Sequence, residues 1–266
     1  MRGGCAVWPV VVSWPARALV DLMWPECCVL CGVPAGGAPW APCGARVPGL
    51  RAWDLPHLCG RCQTRLVGEP RWHEVPLEGG ATLLVAAGRA ESPELVALAG
   101  ALKYHGVRGA AWGLATVAAP AAVLLPLPWR GAALVPVPLH PARRRERGFN
   151  QADLLARLLA ARLGWPTAER IVRRARPTPQ QAKIASSFAL RHANVTGAFA
   201  AAPAPTVSPT LFLVDDLATS GQTLAAVAGA LRDAGWEVAG ALVAGAGAAC
   251  GEVVRETRLD SHAESA

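Results

Sequence analysis

The segment Leu211-Phe-Leu-Val-Asp215-Asp216-Leu-Ala-Thr219-Ser220-Gly221-Gln-Thr223-Leu constrains the fold more than any other part of the chain. An apolar strand runs into two adjacent carboxylates. A short turn rich in hydroxyls and glycine follows, and a helix then begins. The unpaired N–H groups of a helix's first turn converge on one point, where the helix dipole also favours an anion. Thr219, Ser220 and Thr223 add hydroxyl donors, and Gly221 lets the backbone approach closely. Asp215 and Asp216 stand just upstream, within reach of sugar hydroxyls. A ligand bearing both an anion and hydroxyls, such as a 5′-phosphoribosyl group, would use every part.

A strand feeding a helix in this way belongs in a layered α/β fold, and the sequence around it agrees. Strands are expected at 81–87, 132–137, 211–214 and 238–244. Helices are expected at 94–103, with Pro93 setting up the first turn, and at 109–123, 151–163 and 221–234, the last closed by Gly235. Alternation of this kind predicts a mainly parallel sheet flanked by helices. The stretch 200–209 reads as a loop. Three units are expected: an N-terminal helix and zinc-ribbon-like region over 1–75, an α/β domain over 80–248, and a flexible tail over 249–266. One short amphipathic helix is expected at 18–24 within the first.

The N-terminal region carries seven of the 8 cysteines. Cys28-Val-Leu-Cys31 and Cys59-Gly-Arg-Cys62 form two C-x2-C knuckles separated by 27 residues. Four thiolates meet zinc's tetrahedral demand, so Cys28, Cys31, Cys59 and Cys62 are the candidate metal ligands. Cys43 is a spare thiol able to replace one of them. Cys27 abuts Cys28 and cannot easily share its geometry, while Cys5 and Cys250 read as ordinary thiols. His57, close to Cys59, reads as a loop histidine. No open coordination position is evident, which favours a structural role for the metal.

Apolar residues make up 52% and charged residues 17%, which excludes global disorder. The net charge of +7 is concentrated: the stretch 143–191 holds twelve Arg or Lys against three acids. This is an anion-binding signature. The stretch 109–129 has no charged side chain, but Pro120, Pro126 and Pro128 argue against one membrane span. The apolar stretch near Val10 is interrupted by Pro9 and Pro15, and no clean cleavage site follows. No membrane insertion and a cytoplasmic location are expected.

The segment around Asp215 closely resembles the phosphoribosyl-diphosphate loop of type I phosphoribosyltransferases. Other motifs resemble the competence-type (ComF/GntX) branch of that family. They are Leu102-Lys103-Tyr104-His-Gly106, Arg147-Gly148-Phe149-Asn150-Gln151, Arg174-x-x-x-Thr178-x-x-Gln181 and Arg191-x-x-Asn194-Val-x-Gly197-x-Phe199. The resemblance implies the type I phosphoribosyltransferase fold and a pentosyl glycosyltransferase activity linked to DNA uptake. It implies Asp215 and Asp216 as the catalytic pair, and Ala218, Thr219, Ser220, Gly221, Gln222 and Thr223 as the phosphoribosyl cradle. It makes the stretch 138–151 the diphosphate loop, with Arg143, Arg144 and Arg147 as contacts and Lys103 as a further candidate, and makes 173–183 a mobile loop. The implied cofactors are structural zinc, and magnesium arriving with phosphoribosyl diphosphate. The implied partner is that compound or a related nucleotide. An alternative is a weakly catalytic or non-catalytic accessory protein that binds single-stranded DNA or DNA-processing proteins.

Overall fold

The computed structural model describes residues 28–33, 58–66, 68–125, 131–175 and 197–254. The helix expected at 18–24, Cys5, Cys27, Cys43, His57 and most of the loop 173–183 lie outside these residues, as do Thr178, Gln181, Arg191 and Asn194.

Six strands form one sheet in the order β3-β6-β7-β2-β1-β8. They are β1 (Arg71–Pro76), β2 (Thr82–Ala90), β3 (Ala132–Pro136), β6 (Thr210–Ala218), β7 (Val238–Ala246) and β8 (Glu252–Val254). The neighbours β3/β6, β6/β7 and β7/β2 are parallel. The edge formed by β1 and β8 is antiparallel. A separate two-stranded antiparallel ribbon pairs β4 (Val172–Arg174) with β5 (Phe199–Ala201). The expectation of a mainly parallel sheet flanked by helices therefore holds. Both β1 and β8 are additions to it, and β8 lies within the stretch expected as a tail.

The helices are α1 (Gly60–Leu66), α2 (Pro93–Tyr104), α3 (Ala110–Ala118), α4 (Pro141–Arg147), α5 (Gln151–Leu163) and α6 (Gln222–Asp233). Local chemistry sets their ends. Ser92 caps α2 by accepting the Leu95 N–H at 3.3 Å, and Pro93 takes its first position. Asn150 caps α5, and Gly164 closes it in the left-handed region at φ 72°. Residues 119–124 continue α3 as a 3-10 turn, so the uncharged stretch near Pro120 is a broken, buried helix. Among the described residues no helix is long and apolar enough to cross a membrane.

Strand alternation builds two cores. Phe212 and Val214 face α2, α3 and α5, joining Leu98, Trp112 and Leu155. Leu211 and Leu213 face the opposite side, joining Leu224, Val227 and Leu231 of α6. Trp165 stacks on Phe212 with ring centroids 5.2 Å apart. At Gly88 a Cβ would meet the Val117 carbonyl oxygen at 2.0 Å. Glycine there lets α3 lie directly against β2.

Candidate functional site

The site sits at the C-terminal end of β6, where open α/β sheets hold their ligands. The strand does not stop at Val214 but continues through both acids to Ala218. Alternation therefore separates them. Asp216 follows Phe212 and Val214 onto the α2 face, and Asp215 follows Leu211 and Leu213 onto the α6 face. Asp216 is 2% exposed, and its Oδ2 lies 2.6 Å from Lys103 Nζ at the end of α2. Asp215 is partly open, and its Oδ1 accepts the Asp216 N–H at 2.9 Å.

Charges around the pair are unequal. Burial first, and the neighbouring Asp216 charge second, push the Asp215 carboxyl up to about 8. Burial opposes the charge on Lys103, but Asp216 and Asp215 outweigh it and raise its ammonium. Asp215 thus holds its proton more readily than an ordinary carboxyl, beside the ion pair of Lys103 and Asp216. Lys103 is neither a surface lysine nor a free diphosphate contact in this state, because Asp216 holds it.

After Ala218 the chain turns. The buried Ala218 side chain joins the α6-side core, and its carbonyl accepts the Gly247 N–H at 2.9 Å. Thr219 is exposed, while Ser220 and Thr223 are half-buried. Gly221 precedes α6 with φ 69°, and no side chain caps the helix. A Cβ on Gly221 would lie 2.6 Å from Val75 Cγ2 and 3.4 Å from Cys250 Sγ. Only glycine fits both the backbone angle and the space, so the turn is held against β1 and the segment leading into β8. Gln222 is 8% exposed, and its amide nitrogen has no hydrogen-bond partner.

The arginine-rich segment forms α4 rather than an open turn. Within Arg147-Gly148-Phe149-Asn150-Gln151 each residue has a local job. Arg147 donates to Gln151 Oε1 at 3.2 Å, and its guanidinium lies over the Tyr104 ring, 5.4 Å from the centroid. Gly148 closes α4 in the left-handed region. The Phe149 ring lies beneath Arg108. Asn150 donates to Val137 O at 3.1 Å and to Asp153 Oδ1 at 2.8 Å, so its donors are already spent on structure. Arg144 pairs with Asp153 at 3.7 Å on the surface. Arg143 acts electrostatically on Arg174, whose guanidinium is held below its usual range by burial and, next, by Arg143. Asp215 opposes that shift, which places Arg174 in its field.

Three motifs thus converge: Lys103 and Tyr104 from α2, Arg147 from α4 and the acids from β6. Tyr104 and Arg174, which the sequence alone does not single out, also lie near the acids: Tyr104 follows Lys103 on α2, and Arg174 stands in the field of Asp215. A cavity of about 490 Å³ flanks α6, with Leu77, Phe199, Gln222, Ala226 and Arg232 among its walls. Neither acid nor Lys103 lines it, so it is separate from the acidic pair.

At the other end of the chain, Cys28, Cys31, Cys59 and Cys62 bring their sulfurs within 4.8 Å of one another. The Gly32 N–H donates to Cys28 O at 2.8 Å, and the Cys62 N–H to Cys59 O at 2.9 Å, closing both knuckles. Burial opposes ionisation of Cys28, yet the backbone N–H groups of Cys59, Leu30 and Cys31 lower its thiol to about 6. Burial and the adjoining thiols drive Cys62 strongly upward. Four sulfurs this close are a donor set fitted to a metal such as zinc. Cys28, Leu58, Cys62 and Leu66 are buried in the same core as Leu98 and Trp112. Arg89 Nη1 donates to Arg65 O at the end of α1, and Arg65 pairs with Glu94 at 3.7 Å. The knuckles are therefore packed onto α2.

No protein-family model matches the chain. It is similar to Competence protein F of Haemophilus influenzae, with 37% identity over 107 residues covering 40% of this chain. That match spans 46% of the relative, about half its length. It is also similar to DNA utilization protein YhgH of Salmonella typhi, 31% identical over 222 residues. This covers 77% of the chain and 89% of the relative. The YhgH protein of Salmonella typhimurium is 30% identical over the same length. With a match running through nearly all of the YhgH proteins, the chain belongs to the ComF family.

Proposed function

We propose that the chain binds phosphoribosyl diphosphate and transfers its phosphoribosyl group to a nucleophile, in the service of DNA utilisation. The observation that carries this reading is the acid pair on β6 feeding an uncapped, glycine-held turn at the head of α6. The first-turn N–H groups of α6 and the hydroxyls of Thr219, Ser220 and Thr223 would hold the 5′-phosphate. Asp215 and Asp216 would accept from the ribose hydroxyls. A new bond to the anomeric carbon would form as the bond to diphosphate oxygen breaks, its electron pair leaving on diphosphate. Magnesium, bound by substrate oxygens and water, would supply neutralising charge for that leaving group. Arg143, Arg147 and Arg174 surround the same end of the sheet and would hold diphosphate. Lys103 would stay on Asp216 or swing to diphosphate once the ribose occupies the acid. The protein's share is positioning and electrostatics.

Calorimetry with phosphoribosyl diphosphate and magnesium tests this. Asp215→Asn keeps the Lys103–Asp216 pair and isolates one acid. It should weaken binding about 10-fold or more, and the double change with Asp216→Asn about 100-fold or more, as charged hydrogen bonds are lost. Unaltered affinity in both variants refutes the site.

The names of the relatives favour a second reading, in which the arginines of α4, exposed at Arg144 and Arg145 and half-buried at Arg143, contact single-stranded DNA. Affinity for an oligonucleotide should then fall steeply with salt. Replacing Arg143, Arg144 and Arg145 by Gln should flatten the log–log slope by about 2. A salt-independent affinity removes this reading.

A further inference from the structure

We infer that Tyr104 is a stacking platform for the base of a nucleotide whose sugar phosphate occupies the β6 turn. The inference rests on the phosphoribosyl reading and adds the ligand class: a compound carrying a flat nucleobase, free or as part of a nucleic-acid end.

Four observations carry it. Tyr104 is 64% exposed, and among the described residues it is the one aromatic side chain on the open surface. The other aromatic rings among the described residues are half-buried or buried; Phe212 is stacked on Trp165 and Phe149 lies beneath Arg108. The ring gives little to the core, so its burial does not account for its place. Its neighbour Lys103 reaches Asp216 at 2.6 Å, and successive helical residues point about 100° apart. The ring therefore flanks the acid pocket rather than plugging it. Arg147 covers one face of the ring at 5.4 Å and is itself anchored to Gln151 at 3.2 Å. That contact holds the ring in one orientation before a ligand arrives. The exposure leaves the rest of the ring open to a planar partner. Stacking of this kind tolerates any base.

The chain contains a single tyrosine, so ring-labelled tyrosine gives one nuclear-resonance signal, from Tyr104 alone. Adenosine and uridine 5′-monophosphates with magnesium should move that signal upfield through the base's ring current. Ribose 5-phosphate with magnesium should bind and leave it nearly unmoved. Tyr104→Ala should weaken both nucleotides about 5- to 100-fold while leaving ribose 5-phosphate affinity unchanged. Tyr104→Phe should retain nucleotide affinity within about 2-fold, because the stacking face survives. If Tyr104→Ala weakens nucleotides and ribose 5-phosphate alike, or weakens neither, the platform is wrong while the turn stands. If ribose 5-phosphate and the nucleotides all fail to bind the unaltered chain, the phosphoribosyl reading falls and this inference with it.

Discussion

Replacing Lys103 with methionine should destabilise the protein by about 3 to 5 kcal/mol, because it leaves a buried carboxylate without its partner. Asp216 is 3% exposed at its side chain and Lys103 23%, with 2.6 Å between them, so solvent screens the pair little. Methionine keeps most of the stem's length and apolar contact, which confines the change to the charge. At roughly 2 to 4 °C per kcal/mol for a chain of this size, the melting temperature should fall by about 10 °C. The double variant Lys103→Met with Asp216→Asn should recover most of the loss, since no buried charge is then unmatched. A cycle over the four proteins measures the coupling. A melting temperature unchanged in the single variant, or strictly additive losses, would show that the pair does not stabilise the fold.

The second large effect concerns the thiol cluster. Purified protein should contain close to one zinc per chain by elemental analysis. Stripping it should cost several kcal/mol, since structural zinc binding in small knuckles is worth on the order of 10 kcal/mol. The consequence should not stop at the knuckles. Leu58, Cys62 and Leu66 share a core with Leu98 and Trp112, so hydrogen exchange should accelerate in α1 and in the first turns of α2. A metal-free preparation with the same melting temperature and the same exchange pattern would refute a structural metal. A preparation stripped of metal that loosens only residues 28–33 and 58–66 would instead show an independent module.

Much of this architecture is legible in the amino-acid sequence. The helix at 151–163 was readable to the residue because Asn150 and Gly164 bracket a clear apolar period. The strands at 132–137 and 238–244 were legible as apolar runs buried on both faces, as parallel neighbours require. β1 was missed because Arg71-Trp-His-Glu alternates weakly, and its buried His73 reads as polar. α4 was missed because four arginines in five positions carry no apolar stripe. The chemistry of β6 was readable, but its parity was not. Which acid faces which side follows from how far the strand continues, and two apolar residues beyond the acids look like the start of a turn. The Lys103–Asp216 pair depends on sheet order, which places α2 over β6 although 112 residues separate the two side chains in sequence.

Sheet order also dictates when the molecule can become whole. β2 emerges early in synthesis, yet its partner on one side is β7, which is made more than a hundred residues later. β3 likewise waits for β6. A growing chain on the ribosome therefore carries β3 unzipped until β6 is translated, and one side of β2 unzipped until β7 is translated. Premature termination anywhere before β7 yields no partial fold, only a sticky fragment for proteases and chaperones to clear.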